Sequence, residues 1–578
     1  MLRPWLIKIT LQKALVLVSL LTALSSCTQF PSEPDADVLV IGAGIAGLSA
    51  ALEASANGAR VIVIEANSVG GGHAVKAGGI SMVNTELQQA KGIKDSPNRA
   101  VRDYFRWGED PDPYWTRQYA EKSGSDVYDW LTSMGVEFRL VMPTPADSVP
   151  RFHFTRGSAA NVVVPMLRKA LIDPNINFAW NTRVTALARV KGSIVGVYTR
   201  NERDGSKREW RAASTVLATG GFQNNLNLVR EHWPADQPTP QRLFQGAGKY
   251  ATGDGYRLAD WAGADMLRLD RQVTFYGGIP DPADPSRQRA LYATNPAAIW
   301  VGANGRRFID ESSNDKKVEA AVIQQKPVGY WMIFDSRGAR KLNIRDALPA
   351  QKKSMRAKIL ANPELAKQAN NVDELARKTG ISKHGLQTTL ETWNRMIEVG
   401  TDFQFNRFVT DNKNTAIRKI SVPPYYAVRI SPMTRKNMGG PAINIHAQIV
   451  NKQQAAIPGL YAAGELTGVA GINGKHGGNG TFLGPSVLTG RVAGKSAARA
   501  SKSAEPATPY RQFRSQASTE HSNAPDFGQP GYWHYDAVHR LAADSAYTCD
   551  RCHSGAVMKM ANNNADMLAR VSTCTGCH

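Results

Sequence analysis

One stretch near the N-terminus constrains the fold more than any other feature of the chain. Residues 37–65 read DVLVIGAGIAGLSAALEASANGARVIVIE, an apolar strand, a glycine turn, a helix-like run and a second strand ending on Glu65. In G-x-G-x-x-G, Gly42 makes the tight turn, Gly44 admits a pyrophosphate, and Gly47 lets the helix lie close to the strand. The pyrophosphate would lie at the helix N-terminus, and Glu65 is the expected acceptor for ribose hydroxyls. The stretch predicts an α/β domain that binds a dinucleotide.

The size and composition of the chain predict a globular protein of more than one domain. It has 578 residues, of which 42% are hydrophobic and 21% are charged, and a single core stops growing near ~250–300 residues. The formal net charge of +21 is compatible with nucleic acid, anionic lipid or an anionic substrate as a partner. No basic run with interleaved aromatic residues is present, so we predict no nucleic-acid partner.

The first 26 residues read as an export signal. Basic residues precede an apolar run over residues 14–24, and small residues lead to Cys27. The run is shorter than the ~20 apolar residues that a membrane span needs. Leu-Ser-Ser-Cys looks like a bacterial lipobox, which would make Cys27 a lipid anchor; an ordinary signal peptide with an incidental cysteine is the alternative. Either interpretation predicts an exported, periplasmic protein, membrane-anchored in the first case, with residues 27–36 as a linker.

Four of the five cysteines lie in two C-x-x-C-H motifs at the C-terminus. In this motif two thioether bonds hold a c-type haem and the histidine ligates the iron. A zinc ribbon or a pair of disulfides is the alternative, but neither needs a histidine after each second cysteine. The motifs therefore predict two c-type haems, with these attachment and ligand residues: Cys549, Cys552, His553, Cys574, Cys577 and His578.

Each haem iron is also expected to take a sixth ligand. Three histidines cluster upstream of the motifs and predict bis-histidine ligation: His521, His534 and His539. Methionine ligation is the alternative, with Met558, Met560 or Met567 as the ligand.

Further segments of the body extend the dinucleotide-binding pattern. Two glycine clusters, at residues 70–74 and 77–81, predict backbone held close to a ligand. Residues 176–200 alternate as paired strands do, and residues 215–222 read as a buried strand that ends in a glycine turn. The segment ATGDG at residues 251–255 opens another helix, which runs through residue 262.

Taken together, these motifs resemble the fumarate reductase and succinate dehydrogenase flavoprotein family, and its soluble flavocytochrome c branch in particular. The resemblance covers roughly residues 36–502 and includes NGRRFIDE at 304–311, NMGG at 437–440 and IPGLYAAGELTG at 457–468. It implies that the dinucleotide is FAD. It also implies a Rossmann-like FAD-binding domain with an inserted α+β capping domain that closes over the substrate.

The resemblance also implies the domain limits and the FAD-binding residues. The limits are 37–267 and 429–502 for the FAD-binding domain, 268–428 for the capping domain, 503–515 for a linker and 516–578 for a small haem-stabilised dihaem module. The family usually places its haem domain at the N-terminus. The FAD-binding residues are Gly42, Ala43, Gly44, Ala46, Gly47, Glu65, Ala66, Gly71, Gly72, Gly78, Gly79, Val184, Ala218, Thr219, Gly220, Asp254, Gly464 and Glu465.

The substrate-handling positions of the family carry other side chains in this chain. The family's catalytic arginine falls at Asp315, followed by Lys316. The histidine before its Met-Gly-Gly turn falls at Lys436, and a second arginine falls at Lys475, followed by His476. These five residues are the catalytic candidates, and their cations suit an anionic or carbonyl-bearing substrate; solvated surface lysines are the alternative. Because an ammonium lacks the planar fork of a guanidinium, fumarate itself is disfavoured.

Tyrosines are an alternative source of the proton. The family's His-Pro-Thr triplet falls near residues 275–277, which contain no histidine. Tyr276 and Tyr292 are therefore alternative proton donors, or simply packing residues. The loop TFLGPS at 481–486 looks more like that of 3-ketosteroid dehydrogenases, which use the same fold on bulky apolar ketones.

The leading hypothesis is a periplasmic flavocytochrome c that exchanges a hydride between FAD and an activated C=C or CH–CH bond of a small carbonyl or carboxylate compound. Its electrons would come through the haems from a membrane-bound or periplasmic cytochrome or a quinol-linked carrier. One alternative is a dehydrogenase of carboxylates or ketosteroids that passes electrons to a cytochrome. A non-catalytic electron-transfer shuttle is the alternative of another class.

Overall fold

The computed structural model describes residues 34–156, 159–346, 351–410 and 416–503. The predicted export signal with Cys27, the second linker and the haem module lie outside these residues. The haem attachment residues and iron ligands predicted above lie there too: Cys549, Cys552, Cys574, Cys577, His521, His534, His539, His553 and His578. Within the described ranges, no helix combines the length and the apolar character that crossing a bilayer requires.

The strands, in chain order, are β1 (Val38–Ile41), β2 (Val61–Ile64), β3 (Ile80–Ser81), β4 (Phe138–Met142), β5 (Phe152–Thr155), β6 (Ile176–Ala179), β7 (Thr182–Val190), β8 (Ser193–Asn201), β9 (Lys207–Arg211), β10 (Ser214–Leu217), β11 (Met266–Leu267), β12 (Gln272–Pro280), β13 (Ala290–Thr294), β14 (Ile299–Val301), β15 (Tyr330–Phe334), β16 (Asn343–Ile344), β17 (Ala366–Ala369), β18 (Tyr425–Asn437), β19 (Gly440–Pro441), β20 (Gln448–Val450) and β21 (Ala456–Ala462).

The α-helices are α1 (Ile45–Ala56), α2 (Glu86–Ala90), α3 (Pro97–Gly108), α4 (Pro113–Lys122), α5 (Trp130–Thr132), α6 (Ala160–Ile172), α7 (Leu226–Glu231), α8 (Asp254–Ala262), α9 (Asp315–Ile323), α10 (Ser336–Ala339), α11 (Lys352–Ala361), α12 (Val372–Thr379), α13 (Lys383–Val399), α14 (Arg407–Thr410) and α15 (Leu483–Ser503). Short 3-10 turns lie at Gly72–Lys76, Gly464–Thr467 and Val469–Gly471, and a π-helical turn lies at Ser123–Asp129.

The first domain, called here the nucleotide domain, is built on a six-stranded sheet in the order β20-β21-β10-β1-β2-β6. All neighbours pair in parallel except β20 with β21. β1 and β2 are apolar throughout and fully buried, as strands covered on both faces must be. Helices α1 and α15 pack on one face, and strands β7 and β8 help to cover the other. The carboxyl ends of β1, β10 and β21 therefore meet at one edge, where α/β sheets bind ligands.

The second domain, called here the cap, is built on an antiparallel sheet in the order β14-β15-β18-β12-β13-β16, with β17 also paired to β18. One apolar cluster lies around Tyr330 and Phe334, and another lies around Trp393. Strand β18 runs unbroken across residue 428, the predicted domain limit, and pairs with β12 as far as Gln272 and Asn437. These two paired strands carry side chains from the cap down to the nucleotide domain.

A buried ion network braces the cap beside the site. Arg307 pairs with Glu311 at 2.8 Å and with Asp402 at 3.0 Å, and Arg407 pairs with Glu311 at 3.1 Å. All four side chains are almost fully buried. Removing one partner of such a network leaves an unpaired buried charge, at a cost of about 3–5 kcal/mol.

The structure confirms most of the local predictions for the body. Within residues 176–200, β7 and β8 are the predicted paired strands, joined by a turn at Lys191 and Gly192 with positive φ at both residues. Residues 176–179 do not belong to this pair; they form β6, which pairs in parallel with β2 in the six-stranded sheet. The buried strand within residues 215–222 is β10, and the helix predicted to open at residues 251–255 is α8.

Candidate active site

A cavity of about 1330 Å³ lies where the carboxyl edge of the six-stranded sheet meets the cap. The nucleotide domain contributes main-chain glycines to its wall, and the cap contributes aromatic and basic side chains. The cavity is therefore large enough for a dinucleotide and a second, smaller molecule.

The glycine turn after β1 has the geometry that its sequence predicts. Gly42 has φ +106°, and a Cβ there would lie 2.6 Å from the Ala218 carbonyl oxygen. A Cβ on Gly47 would lie 1.8 Å from the Gly42 oxygen, so the helix and the turn touch through main chain alone. By contrast, a Cβ on Gly44 would meet no atom within 4 Å. The open space at Gly44 and the uncapped N-terminus of α1 fit a pyrophosphate.

Glu65 closes this end of the cavity. One of its carboxylate oxygens accepts the N–H of Ala43 at 2.7 Å, and the other accepts the N–H of Asn67 at 2.8 Å. Burial raises the pKa of Glu65, and the hydrogen bonds and Arg183 oppose that shift. Because a carboxylate oxygen can accept two hydrogen bonds, each oxygen of Glu65 can still accept one from a ribose hydroxyl. The residues present fit an FAD adenosine half.

Most of the residues predicted to bind FAD line the cavity: Gly42, Gly44, Ala46, Glu65, Ala66, Gly71, Gly72, Gly78, Gly79, Val184, Ala218, Thr219, Gly220, Asp254 and Glu465. Three of the predicted residues lie behind the wall instead. Ala43 donates to Glu65, Gly47 packs on Gly42, and Gly464 donates its N–H to Thr489 at 3.1 Å.

Sequence reasoning missed several lining residues. Arg183 pairs with Asp254, and His73 lies 3.8 Å from Glu465. Both are neighbours of predicted positions, so proximity in sequence was an available signal. Trp107 carried no such signal, because it lies in a helix far from any motif.

Three separate sequence motifs meet at Glu465. The carboxylate of Glu465 accepts the N–H of Asn437 at 3.1 Å, and the amide oxygen of Asn437 accepts the N–H of Phe222 at 2.8 Å. A Cβ on Gly221 would lie 2.2 Å from that amide oxygen. These contacts hold the end of β18, next to Lys436, against the turn at Gly464–Thr467 and the loop that follows β10.

Lys436 presents a cation to the cavity from the end of β18. Its ammonium lies 4.1 Å from the centre of the Phe482 ring, and no carboxylate of the described residues lies within ion-pair distance. Burial, together with the charge of Arg435, lowers the pKa of Lys436 to about 8, although Glu465 opposes the shift. Arg435 itself is held by Asp346 at 3.3 Å and by the Gly246 carbonyl at 2.9 Å. Lys436 is thus a desolvated cation in direct contact with no carboxylate of the described residues.

Tyr276, on the neighbouring strand β12, lies in the wall of the same cavity, with its hydroxyl buried. The residue is 7% exposed, and its hydroxyl has no hydrogen-bond partner among the described residues. Its main-chain oxygen accepts the hydroxyl of Tyr330 at 2.8 Å, which fixes the strand. Burial, with a smaller effect of Glu319, raises the pKa of Tyr276 far above its ordinary value. The hydroxyl therefore stays protonated.

Tyr292, the other candidate tyrosine, lies on β13 and also lines the cavity. Its ring centre is 5.1 Å from that of Phe275, and its N–H is donated to Asp346 at 2.9 Å. Asp315 is the first residue of α9, where Asn314 caps the helix; the side chain of Asp315 lies outside what the structure describes.

The remaining catalytic candidates converge on one carboxylate, Glu109. Lys316 of the cap donates to Glu109 at 3.2 Å, His476 lies 3.2 Å from it, and Lys475 lies 3.6 Å from it. All three cations line the cavity, and Lys316 also lies 5.0 Å from the ring centre of Trp107. The hydrogen bond from Lys316 lowers the pKa of Glu109, and burial lowers the pKa of His476. Sequence reasoning missed Glu109, which belongs to no motif.

The arrangement has a clear chemical capacity. One end fits a dinucleotide, and the other carries the desolvated Lys436 ammonium on β18 and, buried in the wall on the paired strand β12, the protonated Tyr276 hydroxyl. Such a pair suits binding of an anionic or carbonyl oxygen together with delivery of a proton.

Comparisons with known proteins agree with this geometry. The family described as "FAD binding domain" matches residues 37–482. The chain is 31% identical over 477 residues to "Fumarate reductase (cytochrome)" of Shewanella frigidimarina, covering 81% of this chain and 77% of that protein. It is 26% identical over 560 residues to a "KsdD-like steroid dehydrogenase" of Mycobacterium tuberculosis, covering 80% of this chain and 96% of that protein.

Among solved structures, the open conformation of a flavocytochrome c3 fumarate reductase superposes with a TM-score of 0.67 at 29% identity, covering 84% of this chain and 81% of that one. The expected fold, an FAD-binding domain with a cap, is confirmed. FAD chemistry on CH–CH bonds is common to the reductases and steroid dehydrogenases it resembles. The chain therefore belongs to the FAD binding domain family, as an FAD-dependent oxidoreductase similar to the fumarate reductases.

Proposed function

We propose that this protein is a periplasmic flavocytochrome c that reduces an activated C=C bond in a small substrate bearing one carboxylate or carbonyl group, and that fumarate is not its substrate. Bound FAD supplies the hydride exchange with the substrate carbon. The observation that carries the proposal is Lys436, a desolvated cation that contacts no carboxylate of the described residues and lines a cavity that fits FAD.

Lys436 is the residue that we assign to the substrate oxygen. A carboxylate or carbonyl oxygen on its ammonium gains a charge-assisted hydrogen bond in a desolvated site. The same contact stabilises the negative charge that develops on that oxygen when the adjacent C=C bond accepts a hydride. A single ammonium binds one such oxygen group without the planar fork that a dicarboxylate-binding arginine provides.

Tyr276 is the residue that we assign to the proton. Because burial raises its pKa, the phenol is protonated in the resting protein. Reduction of a C=C bond needs a proton donor at the second carbon, and we assign that role to Tyr276. The same group would be the base in the reverse reaction, so the choice of the reductase over the dehydrogenase rests on the electron supply and not on this pKa.

The electron supply is part of the proposal. The two C-x-x-C-H motifs support c-type haems that relay electrons to FAD, and the lipobox at Cys27 supports a membrane-anchored periplasmic location. The relative named "Fumarate reductase (cytochrome)" supports the same pairing of flavin and haem. The donor is then a membrane-bound or periplasmic cytochrome, or a quinol-linked carrier.

A dehydrogenase acting on a larger ketone is the second candidate. The cavity volume and the aromatic wall formed by Phe275, Tyr292 and Trp300 favour it, and so does the likeness to a steroid dehydrogenase. A non-catalytic shuttle is less well supported, because an electron carrier has no use for a wide cavity under a cap.

The test is an anaerobic titration of the haem-loaded protein reduced with dithionite. Reoxidation of the haem α-band on addition of a monocarboxylate enoate, such as crotonate, is the expected result, with fumarate inert. If enones and enoates leave the haems reduced while a saturated ketosteroid reduces the oxidised protein, the dehydrogenase is the correct assignment.

A further inference from the structure

Of the cations that line the cavity, Lys316, Lys475 and His476 differ from Lys436 in one respect. Each of the three has Glu109 within 3.6 Å, whereas Lys436 has no carboxylate partner among the described residues. Glu109 itself does not line the cavity; it meets the three side chains from behind. Glu109 thus neutralises part of the positive charge that the three side chains would otherwise present to an incoming anion.

The position of Glu109 is held by the main chain. It follows α3 with φ +68°, an unfavourable value for a residue with a side chain. The preceding Gly108 packs so tightly that a Cβ would lie 2.7 Å from the Asn473 oxygen, and its carbonyl accepts the N–H of Lys475 at 2.8 Å. The end of α3 and the loop of Lys475 and His476 therefore form one unit, and Lys316 joins it from the cap.

We infer that Glu109 is a specificity residue that neutralises Lys316 and Lys475, the cations that would bind a second substrate carboxylate, so that the enzyme rejects dicarboxylates and accepts substrates with one anionic group. The inference rests on the proposed function, in which Lys436 binds that one group. An incoming second carboxylate would have to compete with Glu109 for Lys316 and Lys475, and it would be repelled by the Glu109 charge at the same time.

The net charge of the cluster supports this reading. Two lysines and one carboxylate leave a single positive charge, since burial and the neighbouring lysines lower the pKa of His476 and favour its neutral form. Replacing the carboxylate by an amide leaves both lysine charges facing the cavity. The surface exposure of Glu109 and Lys475, 47% and 41%, keeps each pair individually weak, so the cluster can release its cations to another anion without unfolding.

The test uses two unreactive four-carbon acids that differ by one carboxylate, succinate and butyrate. Calorimetric titration of the holoenzyme compares the wild type with Glu109→Gln. We expect Glu109→Gln to bind succinate at least about tenfold more tightly than the wild type, with butyrate affinity changed less than about twofold. Adding Lys475→Met to Glu109→Gln should remove most of that gain.

Glu121→Gln is the matched control. Glu121 is 42% exposed, pairs with Arg117 at 3.3 Å on α4, and does not line the cavity, so the change in net charge is the same. It should leave both affinities at the wild-type values. Equal gains in Glu121→Gln, or equal gains for both acids in Glu109→Gln, would mean a general charge effect and overturn the inference.

The outcomes also separate this inference from the function on which it rests. If butyrate binds both proteins and succinate gains nothing in Glu109→Gln, the role of Glu109 is wrong and the proposed function stands. If neither acid binds either protein, the inference is overturned together with the carboxylate substrate itself.

Discussion

The two ends of the cavity differ in the atoms that form them, main chain at one end and side chains at the other. The nucleotide end is main chain: the turn at Gly42, the open space at Gly44 and the two N–H groups that hold Glu65. The substrate end is made of side chains from separate elements, Tyr276 on β12 and Lys436 on β18. A main-chain site depends on a few glycines and tolerates little change, whereas a side-chain site changes its ligand with a single substitution. The same fold can therefore keep its cofactor and change its substrate.

The largest effect is expected at the main-chain end. In Gly44→Val the new side chain fills the open space at the N-terminus of α1, where a pyrophosphate would lie. We expect FAD affinity to fall by at least about 100-fold, or ~2.7 kcal/mol, so that the protein is purified without flavin absorbance. The flavin-to-protein absorbance ratio is the measurement, and a variant that retains a full complement of FAD would contradict the assignment of this end.

The next largest effect, on kcat, is expected from removal of the Tyr276 hydroxyl. Tyr276→Phe removes the proton donor and leaves the packing of the ring intact, so kcat should fall by about 10²–10⁴-fold with flavin content unchanged. Rapid-mixing measurement of flavin reoxidation by crotonate reports the step directly. Tyr292→Phe is the control, and it should retain most of the activity. A wild-type rate in Tyr276→Phe would make Tyr276 a packing residue.

A smaller effect, mainly on substrate binding, is expected from Lys436. Lys436→Met loses one charge-assisted hydrogen bond, about 1.5–3 kcal/mol, so KM for a monocarboxylate enoate should rise roughly 10- to 100-fold. The pKa of Lys436, lowered to about 8, also sets a pH dependence. The side chain is a cation below that pH and neutral above it, so KM should rise as the pH climbs through about 8.

Lys436→Arg sharpens this prediction. A guanidinium keeps its charge throughout this pH range, so the rise of KM near pH 8 should disappear even if the affinity itself changes. Steady-state kinetics from pH 6 to 10, with a dye as electron donor, make the comparison. A rise that persists in Lys436→Arg would assign the titration to another group.

The smallest effect is expected at Lys316. Its charge is already matched by Glu109, and exposed pairs contribute only about 0.2–1 kcal/mol. Lys316→Met should therefore change KM for a monocarboxylate less than about fivefold, against the larger change in Lys436→Met. An effect as large as that of Lys436→Met would place the substrate anion on the Glu109 cluster.

The same contrast explains what the sequence could predict. The turn, the helix and the acid of the nucleotide end lie within residues 37–65, so their contacts follow from local spacing. Glu109 could not be found in this way, because its three partners come from α9 and from the loop before α15, more than 200 residues away. Likewise, the different surroundings of Lys436 and Lys475 could be seen only in the fold, because both positions carry a lysine in place of another family residue. Lys436 lies over the Phe482 ring and contacts no acid of the described residues, whereas Lys475 lies next to Glu109.

The measurement that tests the central claim most directly is an experimental structure of the FAD-loaded protein with butyrate bound. The account predicts the carboxylate of butyrate on the Lys436 ammonium, the Tyr276 hydroxyl directed at its carbon chain, and Glu109 still paired with Lys316 and Lys475. A carboxylate bound by Lys316, Lys475 and His476, with Lys436 turned away from the ligand, would contradict it.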